Sequence, residues 1–182
     1  MCHRHNKYSG LTLIELLIAS ILFSAIIASA ALILSVGIKE WSVETDRIDI
    51  RQGGMTAMET LVRYIGLAGN NHLTGGITAA SSTSVTFLAD VNNAGTNQTV
   101  TISYAANKIT ATIVGASTTT LVIVSNVSSF SFTYYDNTGA VAQTDTQAHR
   151  DLIRIVTMAM TMTKGSDSIS FSSSAFCRNQ LR

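Results

Sequence analysis

The sequence predicts an α+β protein, in which one long N-terminal helix precedes an antiparallel β-sheet head. Two features of the 182-residue chain predict this fold. The first is an apolar run of 23 residues, 16–38, without one charge, which is typical of a membrane-spanning helix. The second is the abundance of hydroxyl side chains after it: 34 of the 115 residues at 68–182 are Ser or Thr. Such a composition suits short strands that have one face in water.

The overall composition excludes several classes of protein. Only 13% of the residues are charged and 46% are hydrophobic, which favours a membrane or envelope protein over a cytosolic enzyme. The formal net charge is +1 and no basic run occurs, so nucleic acid is not a predicted partner. Two cysteines are too few for a disulfide framework of the small secreted type.

A short basic leader, residues 1–10, precedes the apolar run. Its Arg4 and Lys7 place the N-terminus in the cytoplasm and the rest of the chain beyond the membrane. An ordinary secretory signal peptide is the alternative, with Ala28-Ser29-Ala30 as its cleavage pattern. Two observations oppose that alternative. Glu15 stands at the start of the apolar run, where a charge costs about 2.5–3.5 kcal/mol, and the run continues well past the small-residue pattern.

The boundary between leader and span reads Ser9-Gly10-Leu11-Thr12-Leu13-Ile14-Glu15-Leu16-Leu17. It resembles the class III leader of type IV prepilins and pseudopilins, which combines a short basic leader, a terminal Gly, a nearby Glu and an unbroken span. The resemblance implies that a prepilin peptidase cleaves between Gly10 and Leu11 and that the new amine of Leu11 is N-methylated. Leu11 replaces the Phe that the family usually carries there. The recognition context is provided by Thr12, Leu13, Ile14 and Leu16.

The resemblance assigns subunit assembly to Glu15. An unpaired carboxylate is unfavourable in lipid, and the amine that cleavage creates on Leu11 is the nearest candidate cation. The family relationship implies that Glu15 neutralises this amine in an adjacent subunit and thereby sets the register between subunits. The alternative is a Glu15 side chain that extends to the lipid headgroups. For Thr12, a helix N-cap is the alternative to a direct role.

The helix is predicted to have two halves, a transmembrane half at 11–38 and an amphipathic half at 39–67. The second half carries nine charges, and its apolar residues recur on one side. Trp41, Met55 and Met58 are expected in the core, not in a cofactor site. Gly66 and the residues that follow it supply the stop signal.

Residues 68–182 are predicted to form a β-rich globular head. Period-two alternation of apolar residues predicts strands at 85–87, 100–104, 109–113, 121–124, 130–134, 152–162 and 169–171. Turn clusters at 92–95 and 136–139 separate some of them. Strands at this spacing favour an antiparallel meander.

Enzyme motifs are absent from the sequence, so we expect no enzyme, no cofactor and no metal. Neither His72 nor His149 has a companion at metal-ligand spacing. Asp90 and Asp136 carry oxygens suited to Ca²⁺, although turns account for them better. Cys177 is the single cysteine left after loss of the leader, and we expect a buried, inert thiol.

The function that the resemblance implies is structural: a minor pilin that helps to initiate or assemble a type IV pilus. Its partners would be other pilin and minor pilin subunits, the prepilin peptidase and the inner membrane. The segment 61–69 and Arg178-Asn179 resemble W-type minor pilins and J-type minor pseudopilins. A minor pseudopilin of a type II secretion system is one alternative. A membrane-anchored envelope binding module or adhesin is an alternative of another class.

The same resemblance implies the location of the protein. A single N-terminal span would hold the chain in the inner membrane, with its N-terminus in the cytoplasm and its head in the periplasm. From there the subunit would enter a pilus or pseudopilus and reach the cell surface.

Overall fold

The computed structural model describes residues 12–69 and 76–177. One long helix is followed by two antiparallel sheets, which confirms the predicted α+β class. The elements are α1 (Leu13–Gly66), β1 (Ile77–Ala80), β2 (Ser84–Ala89), β3 (Gln98–Ala105), β4 (Lys108–Val114), β5 (Thr118–Ser125), β6 (Val127–Tyr135), α2 (Gln147–Arg150), β7 (Ile155–Lys164) and β8 (Asp167–Phe176). The chain divides into two compact units between Glu44 and Thr45.

The first unit holds the apolar part of α1. This helix is long and apolar enough to cross a membrane, and none of the side chains in its most apolar window is buried within the chain. Each serine in the span donates its hydroxyl hydrogen to a carbonyl of the preceding turn, as at Ser20 and Ser24, where both oxygen–oxygen distances are 2.8 Å. Ser29 and Ser35 do the same. The hydroxyl donors of the span are thereby satisfied without water.

The second unit buries one face of the remaining part of α1. The buried residues recur every three or four positions, as a helix with one packed side requires; they are Ile50, Gly54, Ala57, Met58, Leu61, Tyr64 and Ile65. Met58 is a core residue, as predicted. The same prediction is wrong for Trp41 and Met55, whose side chains are 76% and 59% exposed. Met55 follows Gly54 directly and so points about 100° away from the buried face.

The head contains two meanders where the sequence predicted one sheet. Strands β1 to β5 form a five-stranded sheet in chain order, and β6 to β8 form a three-stranded sheet. Asn126, in the left-handed conformation with φ of 63°, lies between β5 and β6. The predicted strand at 152–162 begins at Ile155 instead, because α2 and a turn occupy the residues before it. Strand β1 and helix α2 were not predicted.

Apolar side chains from both sheets and from α1 form one core. Phe87, Ile102 and Ile109 of the five-stranded sheet, and Met158 and Met160 of the three-stranded sheet, are at most 1% exposed. The opposite faces of the strands carry Ser and Thr in alternation, which is why the burial pattern of β2 and β7 has a period of two.

Tyr134 ties the three-stranded sheet to the β1–β2 hairpin. Its hydroxyl donates to the carbonyl oxygen of Ser81 at 2.8 Å, and the carbonyl oxygen of Ser84 lies 3.1 Å away. The buried ring thus keeps its polar atom satisfied. Burial raises the pKa of the Tyr134 hydroxyl well above its usual value.

Candidate processing and assembly site

Thr12 and Glu15 close a reciprocal hydrogen-bonded ring at the start of α1. The backbone N–H of Thr12 and its hydroxyl both donate to Oε2 of Glu15, each at 2.9 Å. In return the backbone N–H of Glu15 donates to Oγ1 of Thr12 at 3.3 Å. The carbonyl of Thr12 accepts the first helical bond, from Leu16. This is a capping box, which satisfies two backbone N–H groups that the helix itself cannot.

The Thr-x-x-Glu spacing in the sequence is the signal for this ring. An N-cap was predicted only as an alternative role for Thr12, and Glu15 was not predicted to be its partner. The structure gives Thr12 the N-cap position. It also gives Glu15 a local partner on its own chain. Because all the donors are uncharged, the ring holds the carboxylate in place without neutralising its charge.

The capping box lies wholly on the C-terminal side of the predicted cleavage point. Its atoms belong to Thr12 and Glu15, and the N–H of Thr12 is part of the peptide bond to Leu11. A cut between Gly10 and Leu11 therefore leaves every donor and acceptor of the ring in place. Gly10 and Leu11 themselves lie outside the described residues, as do Arg4 and Lys7.

The side chains after the cap form an apolar surface. Leu13, Ile14 and Leu16 are between 65% and 85% exposed within this chain. Glu15 is the only residue with an ionisable side chain from Leu13 to Ile38. A single acidic group, fixed in position by Thr12, therefore lies in the otherwise apolar first part of α1, before Lys39.

The comparison with known families concerns this same segment. Residues 5–31 match the family model of the prokaryotic N-terminal methylation motif. The chain carries the class III leader of type IV pilins. The match includes the predicted cleavage point, the capping box and the first 16 of the 23 residues of the apolar run, and it ends before the head. No curated protein matches the chain.

Two loops of the head were candidate calcium sites. In both loops the aspartate carboxylate accepts hydrogen bonds from backbone N–H groups of the same loop. Asp90 accepts from the N–H of Ala94 at 3.0 Å and of Gly95 at 2.7 Å. Asp136 accepts from the N–H of Thr138 and of Ala140, at 2.8 Å and 3.0 Å. The hydroxyl of Thr138 also donates to Asp136, and these bonds lower the pKa of that carboxyl. Both aspartates are turn residues.

Of the two histidines outside the leader, the structure describes only His149. His149 pairs with Asp145, whose Oδ1 lies 2.6 Å from Nδ1, and this bond lowers the pKa of the Asp145 carboxyl. Residues 12–69 and 76–177 contain no group of three His, Cys, Asp or Glu able to hold a metal. His72 and Arg178-Asn179 lie outside the described residues.

Cys177 is fully buried at the end of β8. Its backbone N–H donates to the carbonyl oxygen of Arg154 at 2.8 Å, which extends the pairing of β8 with β7 by one residue. Burial raises the pKa of the thiol to about 12. At neutral pH the thiol is therefore protonated and packs in the core as an apolar side chain. It is a poor nucleophile, because thiol reactivity depends on the thiolate.

Charged contacts between α1 and the β7–β8 turn were not predicted from the sequence. The ammonium group of Lys164 lies 2.9 Å from Oδ1 of Asp46 and 2.7 Å from Oδ2 of Asp49. The hydrogen bonds to Asp49 and Asp46 raise the pKa of Lys164. Arg47 approaches Asp167 at 3.5 Å. The i,i+3 spacing of the two acids on a helix was visible in the sequence, but their partner, far along the chain, was not.

Proposed function

We propose that this chain is a minor pilin, a structural subunit without catalytic activity that helps to initiate or assemble a type IV pilus. The observation that carries the proposal is the Thr12–Glu15 capping box, which lies inside the matched methylation motif and at the head of an uncharged span. The resemblance of segment 61–69 to W-type minor pilins and to J-type minor pseudopilins supports a minor subunit.

Charge pairing explains why a carboxylate belongs at this place. A lone charge in lipid costs about 2.5–3.5 kcal/mol, and the uncharged donors of Thr12 leave that charge uncompensated. The free amine of Leu11 in a neighbouring subunit supplies the opposite charge. The two groups meet only when the neighbouring helices have one particular axial stagger. Charge pairing at Glu15 would therefore fix the register between subunits.

The proposed route begins in the inner membrane. The peptidase removes residues 1–10 on the cytoplasmic face, the amine of Leu11 is N-methylated, and the head stands in the periplasm. The subunit then joins other pilins in a filament. In a type II secretion system the same steps would build a pseudopilus, and the experiment below includes that outcome.

The proposal is tested by the N-terminus and the location of the mature chain. The protein, tagged at its C-terminus, is isolated from membranes and from sheared surface filaments of its own host, and the N-terminal peptide is analysed by mass spectrometry. The expected mature residue is Leu11, and the expected location includes the sheared filaments. A chain that begins at Ala31 would contradict the leader assignment. A processed chain found only in a periplasmic pseudopilus would contradict the pilus assignment.

A matched pair of glycine variants tests the cleavage site. Gly10→Val places a branched side chain where the peptidase must approach the backbone, so the precursor should accumulate uncut. Gly37→Val makes the same change in the span, where a Cβ would meet no atom within 4 Å. That control should be processed like the wild-type chain. Normal processing of Gly10→Val would place the cut elsewhere.

A further inference from the structure

We propose that the head joins a second copy of itself by strand pairing, with the outer edge of β5 in one copy against the outer edge of β8 in the next. This inference goes beyond the proposed function and does not rest on it, because it concerns only residues of the head. It follows from which strand edges the fold covers, which it leaves open, and how the two open edges match.

Of the four strands at the sheet ends, two have their edges covered. At β1, the side-chain amide of Gln147 in α2 donates to the carbonyl oxygen of Ile77 at 2.9 Å. Strand β6 is covered along its length: Val127 donates to Asn107, and Phe132 donates to Ser82. Tyr134, near its end, accepts from Ala142. Covered edges of this kind are how β proteins avoid unwanted pairing.

Among the described residues, nothing pairs with the outer edges of β5 and β8. No backbone hydrogen bond from residues 12–69 or 76–177 reaches the outer side of either strand. On β5, Leu121 is 44% exposed and Val122 60% exposed, although they point to opposite faces of the sheet. A row of unpaired N–H and C=O groups beside exposed apolar side chains is a template for another strand.

Over most of their length, the two open edges lack the features that normally prevent pairing. Residues 109–135, which include all of β5, contain no charged residue and no proline, and the same holds for 168–177. The bulge in β5 lies near its end, at the register shift opposite Ile109, so the stretch 118–122 is regular. The uncharged stretches 118–122 of β5 and 168–176 of β8 therefore present no electrostatic or steric obstacle to pairing.

The two edges match each other face by face. On the outer face of the five-stranded sheet, a row of hydroxyls ends at the β5 edge, where Thr120 and Thr112 are hydrogen-bonded at 3.2 Å. On the outer face of the three-stranded sheet, a similar row ends at the β8 edge, where Ser170 bonds Thr161 at 3.1 Å. Joining the edges continues the hydroxyl rows, and hydroxyl pairs across strands are favourable.

The inner faces match as well. Leu121 of β5 extends the buried row formed by Ile102 and Ala111 but is itself uncovered. On β8, Ile169 and Phe171 face the same core from the other sheet and are only partly buried. Pairing would bring these half-covered apolar side chains together and remove them from water.

Pairing β5 with β8 has a consequence for assembly. The two edges are different surfaces, so the contact is heterologous and each copy offers one of each. A contact of this kind propagates from copy to copy instead of stopping at a dimer. Pairing of β5 with β5, by contrast, would be self-complementary and would stop at two copies.

Disulfide trapping in the full-length chain tests the proposal. In a Cys2→Ser background, Val122→Cys on β5 is combined in turn with Ser168→Cys, Ser170→Cys, Ser172→Cys or Ser174→Cys, all on the outer face of β8. The chain is reconstituted in lipid vesicles and oxidised. At least one combination should give a ladder of dimers, trimers and larger species on non-reducing gels. Buried Cys177 is not expected to contribute.

The matched control is Val122→Cys with Ala159→Cys. Ala159 is exposed on the same outer face, opposite Ser172, but lies on the central strand β7. A strand added beyond β8 would lie about 10 Å from it, which is too far for a disulfide. Cross-linking in this control should be at least tenfold lower than in the best β8 combination.

Mixing two singly substituted chains shows whether β5 of one copy pairs with β8 of the other or whether like strands pair. Val122→Cys chains and β8-cysteine chains with different tags should give mixed dimers and few dimers of like chains. Dimers formed by Val122→Cys chains alone would show that β5 pairs with β5 of the second copy and not with β8. Equal cross-linking in the Ala159 control would show random collision. Either result overturns the proposal.

A charge on the open edge supplies an independent check. Val122→Lys places an ammonium group at an exposed position, so the fold should persist with an unchanged circular dichroism spectrum. The ladder from cysteines placed at Thr120 and the best β8 position should fall to the level of the control, because a lysine on an edge strand opposes pairing. A ladder that persists would contradict the role of this edge.

Discussion

The ring of Phe171 packs against the backbone of Gly54: a Cβ at this position would overlap with Cε2 and Cζ of the ring. A larger residue at position 54 therefore requires the ring of Phe171 to move. The neighbouring Gly53 is different, since the atom nearest to its Cβ would be Cε of Met162 at 3.8 Å. Two adjacent glycines thus have unlike roles.

The first prediction compares alanine at these two positions. Alanine is favoured over glycine within a helix by about 1 kcal/mol, so Gly53→Ala should leave the head as stable as before or slightly more stable. Gly54→Ala should destabilise it by about 1–3 kcal/mol, because the ring of Phe171 must move out of its place. Denaturant unfolding of the full-length chain in detergent, followed by near-ultraviolet circular dichroism, measures both. Equal stability of the two variants would contradict the close contact.

The second prediction concerns the independence of the head. The buried residues of the core extend from Ile50 to Cys177, so a fragment that begins at Lys39 keeps all of them and should be soluble and cooperatively folded. A fragment that begins at Ala68 lacks the buried face of α1 and should aggregate, because the inner faces of both sheets are uncovered. Circular dichroism and sedimentation measure the outcome. A soluble, folded Ala68 fragment would show that the helix is not part of the core.

The sequence was most informative where the pattern is local. The uncharged run and the bonding of its serines to their own helix were predictable, since composition and spacing within one turn decide both. The period-two strands were also predictable. The buried face of α1 was predicted only in part. The burial of Met58 was predicted correctly, but the burial of Trp41 and Met55 was not. Apolar character alone does not show which side of a helix packs against a sheet.

What the sequence did not predict depends on distant contacts. The close fit between Gly54 and Phe171 joins residues more than a hundred positions apart, and a glycine pair in a helix gives no sign of its partner. The division of the strands into two sheets depends on the turn at Asn126, which is one residue among many Ser, Thr and Asn. The Thr12–Glu15 ring is the exception, since its spacing was present in the sequence.

The third prediction concerns Cys177 and alkaline pH. Because burial raises its pKa from about 9 to about 12, the thiol ionises in the unfolded chain before it does so in the folded one. The unfolded state then holds fewer protons, so stability that is present below about pH 9 is lost as the pH rises towards 12. The measurement is the unfolding free energy of the wild-type chain and of Cys177→Ala between these limits.

The difference between the two chains isolates the thiol. The advantage of wild type over Cys177→Ala should shrink with rising pH, at up to about 1.4 kcal/mol per pH unit. Titration of groups that do not interact with Cys177 is common to both chains and cancels, whereas Tyr134 interacts electrostatically with Cys177 and contributes to the difference. Near neutral pH, maleimide should label Cys177 only after unfolding. A constant difference across this range, or rapid labelling of the folded chain, would contradict the buried thiol.

The last prediction separates the two roles of Glu15. Glutamine keeps the capping box, because its side-chain oxygen accepts from Thr12 as glutamate does, but it has no charge. Thr12→Ala does the opposite, since it weakens the cap by about 1 kcal/mol and leaves the carboxylate. If charge pairing with the amine of a neighbour drives assembly, Glu15→Gln should be cleaved normally and then excluded from filaments, whereas Thr12→Ala should still enter them.

The most direct measurement is therefore the incorporation of tagged Glu15→Gln chains into sheared filaments in cells that also make the wild-type chain. Glu40→Gln, which removes an exposed carboxylate farther along α1, is the matched control. The account predicts that Glu40→Gln is incorporated like wild type while Glu15→Gln accumulates, processed, in the inner membrane. Equal incorporation of Glu15→Gln and Glu40→Gln would contradict the assembly role of the Glu15 charge.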